Sequence, residues 1–342
     1  MSQNSVFIHI VTWNSVESIA RCIERAAIQD GFVLGENLFI RITDNASKDN
    51  TASIVEELLR PGITLHKNAE NLGFSGGQNQ GVSEFLKSGC SALLVLNPDV
   101  GLERDCLEKM CEGLKKQSKV GLVTPKLLRA LPSLEPIYPH VIDAAGMVLT
   151  RACRHFDRGA GEWDRGEFDK SEVVFGATGA CLLISQGCVQ DLCIPKTVSD
   201  EEVHEIYPQL RAGWSERAQL FDEGFFAYRE DADLAWRAKH RGWVCWYESS
   251  ARGNHVRVVT PERRKKLPAA LNRYSVRNRF LLQMNNWRLS DGLVMLLWGL
   301  ILRNLVVIVA VVLSERSSLG ALKEAFKLKD RAMAIRRVIG LR

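Results

Sequence analysis

The chain has 342 residues, 46% hydrophobic and 25% charged, a composition that excludes disorder and permits one large α/β domain or two ordinary ones. Its formal net charge of +5 hides an asymmetry: Arg252 to Arg342 carries 19 Lys and Arg against 5 Asp and Glu, while the chain before it is net acidic. Nine cysteines with no C-x-x-C pair, and no histidine pair to complete a zinc pattern, point to a reducing cytoplasm and to thiols used as small apolar residues. The opening stretch, MSQNSVFIHIVTWN, has neither a basic leader nor a long apolar core and is not expected to be a secretory signal.

The first 100 residues alternate between strand and helix patterns. VFIHIV is a β-rich apolar run ending at Thr12-Trp13-Asn14, and an amphipathic helix is predicted from about Val16 to Ile28. NLFIRITDNASKDNT is a strand stopping at Asp44-Asn45, followed by a polar run expected to cap a helix that reaches Leu59. ITLHKN is a third strand. NLGFSGGQNQGVSEFLKSG turns through glycines into another helix, and SALLVLNPDV is a fourth strand, apolar until Asn97-Pro98-Asp99. Repeated βαβ units predict a mainly parallel sheet flanked by helices, with ligands held beyond the carboxyl ends of its strands. Polar clusters stand at three of those ends.

After about Val120 the pattern changes. VGLVTPKLL is a strand, and residues 130 to 172, rich in Gly, Pro, Asp and Arg, are expected to be loop with short strands. VVFGATGACLLIS is predicted as one strand with a small-residue interruption that permits close approach of backbone or ligand. Pro195 to Gln219 is polar and irregular. FFAYREDADLAWR runs from an apolar stretch into an acidic helix start. Acids there stabilise the helix dipole, Asp233 can pair with Arg237 four residues on, and Gly242 ends the helix. GWVCWYESSARGNHV is a final strand leading to His255.

The last quarter holds the most apolar run, GLVMLLWGLILRNLVVIVAVVL, Gly292 to Leu313. It is long enough to span a bilayer, but Arg303-Asn304 in its middle opposes simple spanning. Basic residues flank it on both sides: Arg263-Arg264-Lys265-Lys266 before, and Lys323, Lys327, Lys329, Arg331, Arg336 and Arg337 after. An interfacial or re-entrant helix pair on an anionic membrane surface fits this pattern, with a transmembrane hairpin second. A buried helix at a homo-oligomer interface is the alternative. No nucleic-acid motif is present, and no nucleic-acid partner is expected.

In order along the chain, VTWNS, ITDNASKDNT, NAENLGFSGGQNQG, LLVLNPDV, FGATGACLLIS and FDEGFFAYREDADLAWRAKHRGW resemble the motifs of family 2 inverting glycosyltransferases with the GT-A fold. The resemblance covers roughly residues 5 to 257. The stretch HFDRGAGEWDRGEFDKSEVVFGATG is most similar to bacterial rhamnosyltransferases. It implies a Rossmann-like GT-A catalytic domain over 1–257 and a basic, apolar, membrane-associated helical region over 258–342.

What the resemblance implies for the site is specific. Asp44 is similar to the acid that accepts a pyrimidine N3–H, with the Asx-turn as its structural alternative. Thr12, Asn14 and Asn45 stand beside it around the base. Gly73, Gly77 and Asn79 belong to the glycine-rich segment expected to contact nucleotide and sugar, and Gly179 would let the sugar lie against backbone. Asn97-Pro98-Asp99 matches the position of the metal-binding acids, with Asn97 in place of the first one and in reach of the donor. Asp99 and His255 would then hold Mg²⁺ or Mn²⁺ on the diphosphate. Asp231 takes the general-base role, with Glu230 the runner-up, and the neighbouring Phe225, Phe226 and Tyr228 would exclude water. The implied reaction moves L-rhamnose from dTDP-L-rhamnose to a lipid-linked saccharide in cell-surface polysaccharide synthesis, at the cytoplasmic face of the inner membrane. Galactofuranosyl or glucosyl transfer from a UDP-sugar is the alternative donor reading. A non-catalytic scaffold of a glycan assembly complex is the alternative of another class.

Overall fold

Ten strands form one mixed sheet in the computed structural model, which describes residues 4–193, 201, 206, 218–257, 269–314 and 318–338. The parallel half is β1 (Val6–Thr12), β2 (Leu38–Asp44), β3 (Ile63–Lys67) and β4 (Ala92–Leu96), in spatial order β3-β2-β1-β4. Every residue of β1 and of β4 is buried, as expected of central strands covered by helices on both faces. Because β1, β2 and β4 point the same way, their polar exits, Thr12, Asp44 and Asn97, come out along one edge of the sheet.

The second half adds the short β5 (Val100–Leu102) and β7 (Ile142–Ala144) to a core of β6 (Val120–Arg129), β11 (Cys181–Ser185) and β12 (Val244–His255). β11 runs antiparallel between β4 and β6, and β12 returns parallel to β6. β8 (Met147–Leu149) and β9 (His155–Asp157) form a separate hairpin. The sequence VVFGATGACLLIS divides into two strands rather than one. β10 (Glu172–Val174) lies at the sheet edge on β12, and β11 lies near the centre. Residues 176–180 cross between them where only small side chains fit: a Cβ on Gly176 would stand 2.4 Å from the Ala235 Cβ.

Helix α1 (Ile19–Ala27) buries Ile19, Cys22, Ile23 and Ala26, one stripe at helical spacing. α2 spans Thr51–Glu57. Its N-cap Asn50 makes no side-chain cap bond, and Asp49 instead accepts from the Thr51 amide and hydroxyl. α3 (Gly73–Ser88) lies against β1 on a glycine face. A Cβ at Gly77 would meet Val11 at 2.8 Å, and one at Gly81 would meet the His9 ring at 2.1 Å. His9 is fully buried, with Nδ1 against Gln78 Oε1 at 2.8 Å and Nε2 against Thr43 Oγ1 at 2.9 Å. Burial drives its ring down to about 3, so it is a neutral hydrogen-bonding core residue. α4 (Cys106–Gly113) packs on β12 and β6, and α5 (Gln186–Leu192) follows β11.

α6 (Glu230–His240) carries the acidic start. Asp233 and Arg237 pair along it at 2.8 Å, both buried, and Gly242 follows with φ +82. α7 (Ala269–Asn286) then packs against α6 and against the short 3-10 turn Glu223–Phe225. α9 (Leu319–Lys327) and α10 (Lys329–Val338) pack on α7 in turn. One hydrophobic cluster joins Phe225, Ala232 and Trp236 to Leu281, Leu282 and Ala332, so the residues after 257 share a core with the helix that carries Glu230 and Asp231. Nearly all of the 195–219 segment, and the Arg263–Lys266 basic cluster, lie outside the described residues.

The apolar run begins as a π-helix, Met295–Leu302, and continues as α8 (Arg303–Ser314). It touches the rest of the protein at few points. Gly299 sits against Cys153 and the Arg151 carbonyl, and Val311 sits against Val276 and Ala321. Asn304 accepts from Arg279 Nε at 2.9 Å and donates to Gln283 Oε1 at 2.6 Å. That contact gives the mid-helix polar residue a protein partner on α7. Leu293, Leu297, Trp298, Ile301, Leu305 and Leu313 are each more than half exposed. All nine cysteines are free thiols, eight of them buried.

Candidate active site

The carboxyl edge of the sheet brings the predicted polar clusters to one side, beneath the start of α6. Asn97 and Asp231 meet through two consecutive residues. The Asn97 amide donates to the Ala180 carbonyl at 2.9 Å, and the Gly179 amide donates to Asp231 Oδ2 at 3.0 Å. Asp231 Oδ1 accepts a second backbone bond from Ala232 at 2.8 Å. A Cβ at Gly179 would stand 3.3 Å from Phe74 and 3.6 Å from the Asp231 Cβ, so this glycine sits directly under the carboxylate.

Glu230 is buried and Asp231 half-buried, and removal from water raises both above the usual carboxylate range. They differ in their hydrogen bonds. Asp231 accepts two backbone N–H groups, which favour its charged form. Glu230 Oε2 is buried with no partner, and its neighbour's charge pushes it further up. The hydrogen bonds therefore favour the charge on Asp231 over Glu230.

The backbone leading into the pair is strained. Phe226, Tyr228 and Arg229 all have φ between +64 and +76. Phe226 centres a γ-turn, closed by Ala227 N donating to Phe225 O at 2.7 Å. Non-glycine residues in this region cost about 1–3 kcal/mol each and persist where surrounding contacts over-determine them.

Asp99 and His255 meet across β5 and β12. His255 Nε2 stands 3.4 Å from Asp99 Oδ1, and His255 Nδ1 lies 2.6 Å from Asp143 Oδ2. Burial opposes a charge on the ring, but the Asp99 charge and the Asp143 hydrogen bond outweigh it and carry the imidazole up to about 10. Asp143 is itself fully buried. Burial works against its charge, yet His255 and then Arg257 hold it below the usual range. Arg257 links on to Asp157 at 2.7 Å. Burial raises Asp157 to about 6 in spite of Arg257, and the Asp231 charge contributes to that rise. A continuous set of contacting ionisable groups thus runs from Asp99 to Asp157.

The test of this site as a divalent metal centre is its donor chemistry. Asp99 Oδ1 is buried without a hydrogen bond, and the imidazole beside it is oriented by a carboxylate on its far nitrogen, the arrangement typical of metal-ligating histidines. No group of three or more His, Cys, Asp or Glu is placed to hold a metal ion among the described residues. The chain thus offers one carboxylate and, once a metal displaces the Nε2 proton, one imidazole, a set that would fit Mg²⁺ or Mn²⁺ with further oxygens from outside the chain.

On the nucleotide side, Asp44 is almost fully buried and accepts from the Ser47 amide at 3.0 Å and hydroxyl at 2.5 Å, a local turn closed three residues on rather than the two of an Asx-turn. Asn14, with φ +53, is tied to the same turn. Its amide donates to Ser47 Oγ and its Oδ1 accepts from Lys48 N. Thr12 Oγ1 is buried with no hydrogen bond.

Four residues of the expected donor site are engaged within the protein. Asn45 donates to the Gly73 carbonyl and accepts from Asn68, which ties the end of β2 to the start of α3. Asn79 accepts from the Leu220 and Phe221 amides and donates to the Phe221 carbonyl and Glu223. Gly77 packs α3 on Val11. Gly73, with φ +71, lies against Phe226, where a Cβ would stand 2.4 Å from the carbonyl oxygen. Asp143, Asp157 and Arg257 escape sequence reasoning because they lie in or after loop-rich chain with no spacing signal. His255 is their only marked neighbour.

Residues 7–128 match the family model described as Glycosyl transferase family 2. That match covers about a third of the chain, and the mainly parallel sheet flanked by helices is the GT-A fold. GalNAc-T7, solved with UDP, GalNAc and Mn²⁺, superposes with a TM-score of 0.58 at 11% identity over 84% of this chain and 48% of its own. TarS of S. aureus superposes at 0.54 with 14% identity, over 98% of this chain and 50% of its own. A mannosyltransferase from Pyrobaculum calidifontis, in complex with GDP-Man and Mn²⁺, gives 0.50 at 13% identity, over 100% of this chain and 87% of its own. The chain spans about half the length of the first two. At these identities the likeness establishes the fold. No curated protein matches the sequence.

Proposed function

We propose that this protein is an inverting glycosyltransferase in which Asp231 is the general base, working on a nucleotide-sugar donor held along the carboxyl edge of the sheet. The observation that carries the reading is the pairing of Asn97 and Asp231 on the adjacent residues Ala180 and Gly179, which sets the base beside the N-P-D turn. The acceptor hydroxyl oxygen attacks the anomeric carbon from the face opposite the diphosphate. Asp231 takes the hydroxyl proton as the new C–O bond forms. The bond to the diphosphate oxygen breaks, and its electron pair leaves with the nucleoside diphosphate. Glu230, unpartnered at Oε2 and raised by burial, is the weaker candidate for carrying charge, which leaves Asp231 to act on the reacting oxygen. One base suffices because the leaving group is already good, unlike glycoside hydrolysis with its two carboxylates. A divalent metal held by Asp99 and His255 would offset charge on that leaving group. Asp44, Thr12 and Asn14 form the base pocket, and Gly179 presents backbone to the sugar.

The donor we propose is dTDP-L-rhamnose and the acceptor a lipid-linked saccharide. The segment most similar to rhamnosyltransferases, residues 155–179, supports the donor: it begins at His155, 3.2 Å from Arg229, and ends at Gly179 under Asp231. The exposed apolar helix supports a membrane-bound acceptor. Its 19 residues from Met295 to Leu313 measure about 28 Å, close to the hydrocarbon thickness of a bilayer. With its flanking basic residues, that helix suits a peripheral or monotopic position on the anionic cytoplasmic face of the inner membrane.

The test is a donor panel with Mg²⁺ or Mn²⁺: dTDP-rhamnose, UDP-galactose, UDP-glucose, UDP-GlcNAc and UDP-galactofuranose, read by thermal shift and release of nucleoside diphosphate. Selective response to dTDP-rhamnose is expected. Response to a UDP-sugar alone keeps the mechanism and overturns the donor. Silence with every donor in the presence of lipid favours the scaffold reading.

A further inference from the structure

The C-terminal helix α7 does more than follow the catalytic domain. Asn278, fully buried on it, donates its side-chain amide to three carbonyls of the chain just before Glu230: Phe225 at 2.9 Å, Ala227 at 2.8 Å and Tyr228 at 2.8 Å. Two N–H hydrogens serve three acceptors. The amide is aimed by its own oxygen, which accepts from Arg277 Nε at 2.9 Å. The segment it holds is the strained one, with its γ-turn at Phe226 and left-handed Tyr228 and Arg229. α7 grips the same segment at four further points. Arg277 Nη2 donates to the Gly224 and Phe225 carbonyls, Tyr274 stacks on Phe226 at 5.1 Å, and Arg229 Nε donates to Ser275 O. A turn of this kind has no intrinsic preference for its shape, so an external template must impose it.

We propose that Asn278 is a positioning residue that fixes the Asp231 carboxylate by templating the 225–229 turn from α7. The inference rests on the reading of Asp231 as the base. The physical reason is reach. Asp231 is two residues past the last left-handed position, so relaxation of the turn rotates the first turn of α6 and moves the carboxylate off Gly179. Displacement of a catalytic group by about 1 Å can cost about 10²-fold in rate. α7 also binds Asn304 of the apolar helix through Arg279 and Gln283, so one helix contacts both the membrane-facing element and the base loop.

The experiment uses the full chain and two readouts. Hydrogen exchange of the amides in 224–232 needs no donor, and steady-state kinetics use whichever donor the panel selects. Asn278→Ala is expected to speed exchange in 224–232 by about tenfold or more with the sheet amides unchanged. It should lower kcat by about 10²-fold with donor KM within about threefold. Asn278→Gln, which keeps the amide, should recover part of kcat. If Asn278→Ala does not fold, Arg277→Gln removes donors to the same carbonyls and should move both readouts in the same direction. Unchanged exchange, or faster exchange with wild-type kcat, overturns the proposal. Asp231→Asn, run alongside, separates the two readings: if it keeps wild-type kcat, the base assignment fails whatever Asn278→Ala does to exchange.

Discussion

Gly73→Ala perturbs the base loop from the opposite side, and its effect can be worked from two distances. The residue has φ +71, which costs a side chain about 1–2 kcal/mol. A Cβ there would stand 2.4 Å from the Phe226 carbonyl oxygen, whereas ordinary contact begins at 3.4 Å, so one partner must retreat by about 1 Å. The obstacle is backbone, which no rotamer change relieves, and overpacking of this kind costs about 1–3 kcal/mol. The start of α3 is fixed by Asn45 on the Gly73 carbonyl, so the Phe226 turn is the side that yields. The expected result is a stability loss of about 2–5 kcal/mol by urea denaturation, with kcat down about 10²-fold. Gly89→Ala is the control: φ is +73 with nothing within 4 Å, so it carries the backbone cost alone. If both variants lose stability alike and both keep full kcat, Gly73 does not guard the position of the loop and the reasoning is wrong.

Asp231→Asn should lower kcat by about 10²–10⁴-fold while a nucleotide titration still shows donor binding. Burial raises the Asp231 carboxyl, so wild-type kcat should climb with pH through a midpoint above the usual value of about 4, and the variant should lack that limb. Asp143→Asn leaves both proposed metal ligands in place but removes the carboxylate that orients His255; the Mn²⁺ concentration for half-maximal activity should rise about 10–100-fold. Arg331→Ala strips the buried Asp222 of its guanidinium partner and should cost about 2–4 kcal/mol at pH 7, part of the charge still being met by Gly224 N and Asn285. Burial opposes the Asp222 charge but Arg331 lowers its folded pKa, so this stability is present above the unfolded value of about 3.9 and fades as pH falls through the folded one. Denaturation curves of wild type and Arg331→Ala should therefore converge in acid, and a constant gap would contradict the pairing. Leu297→Glu with Ile301→Glu, both at exposed positions, should leave the melting temperature unchanged and abolish co-sedimentation with anionic vesicles; retained binding would remove that face from the membrane.

The parallel pairing of the first half, and the polar strand exits, could be read in advance because alternating βαβ patterning leaves few topologies for a right-handed parallel sheet, whereas the order of the strands came from the tertiary structure. The paired helix residues Asp233 and Arg237 were equally readable, since spacing of four along a helix is local geometry. Glycines 73, 77 and 81 were visible as a motif, but their packing against Phe226, Val11 and His9 was not. A glycine tells that something comes close and not what.

By itself the sequence determined what local periodicity and residue chemistry can carry: the α/β class, the exits at Thr12, Asp44 and Asn97, the acidic start at Glu230-Asp231 and a basic, apolar last quarter. Tertiary structure alone decided which groups share a site. Asp99, His255, Asp143, Arg257 and Asp157 lie as much as 158 residues apart in sequence, yet they form one chain of contacts that reaches toward Asp231. It also decided that α7 holds the turn before Asp231, through Asn278 and three carbonyls. Backbone carbonyls are the same at every position of every sequence. Which of them a buried amide will meet is settled only when the helices pack.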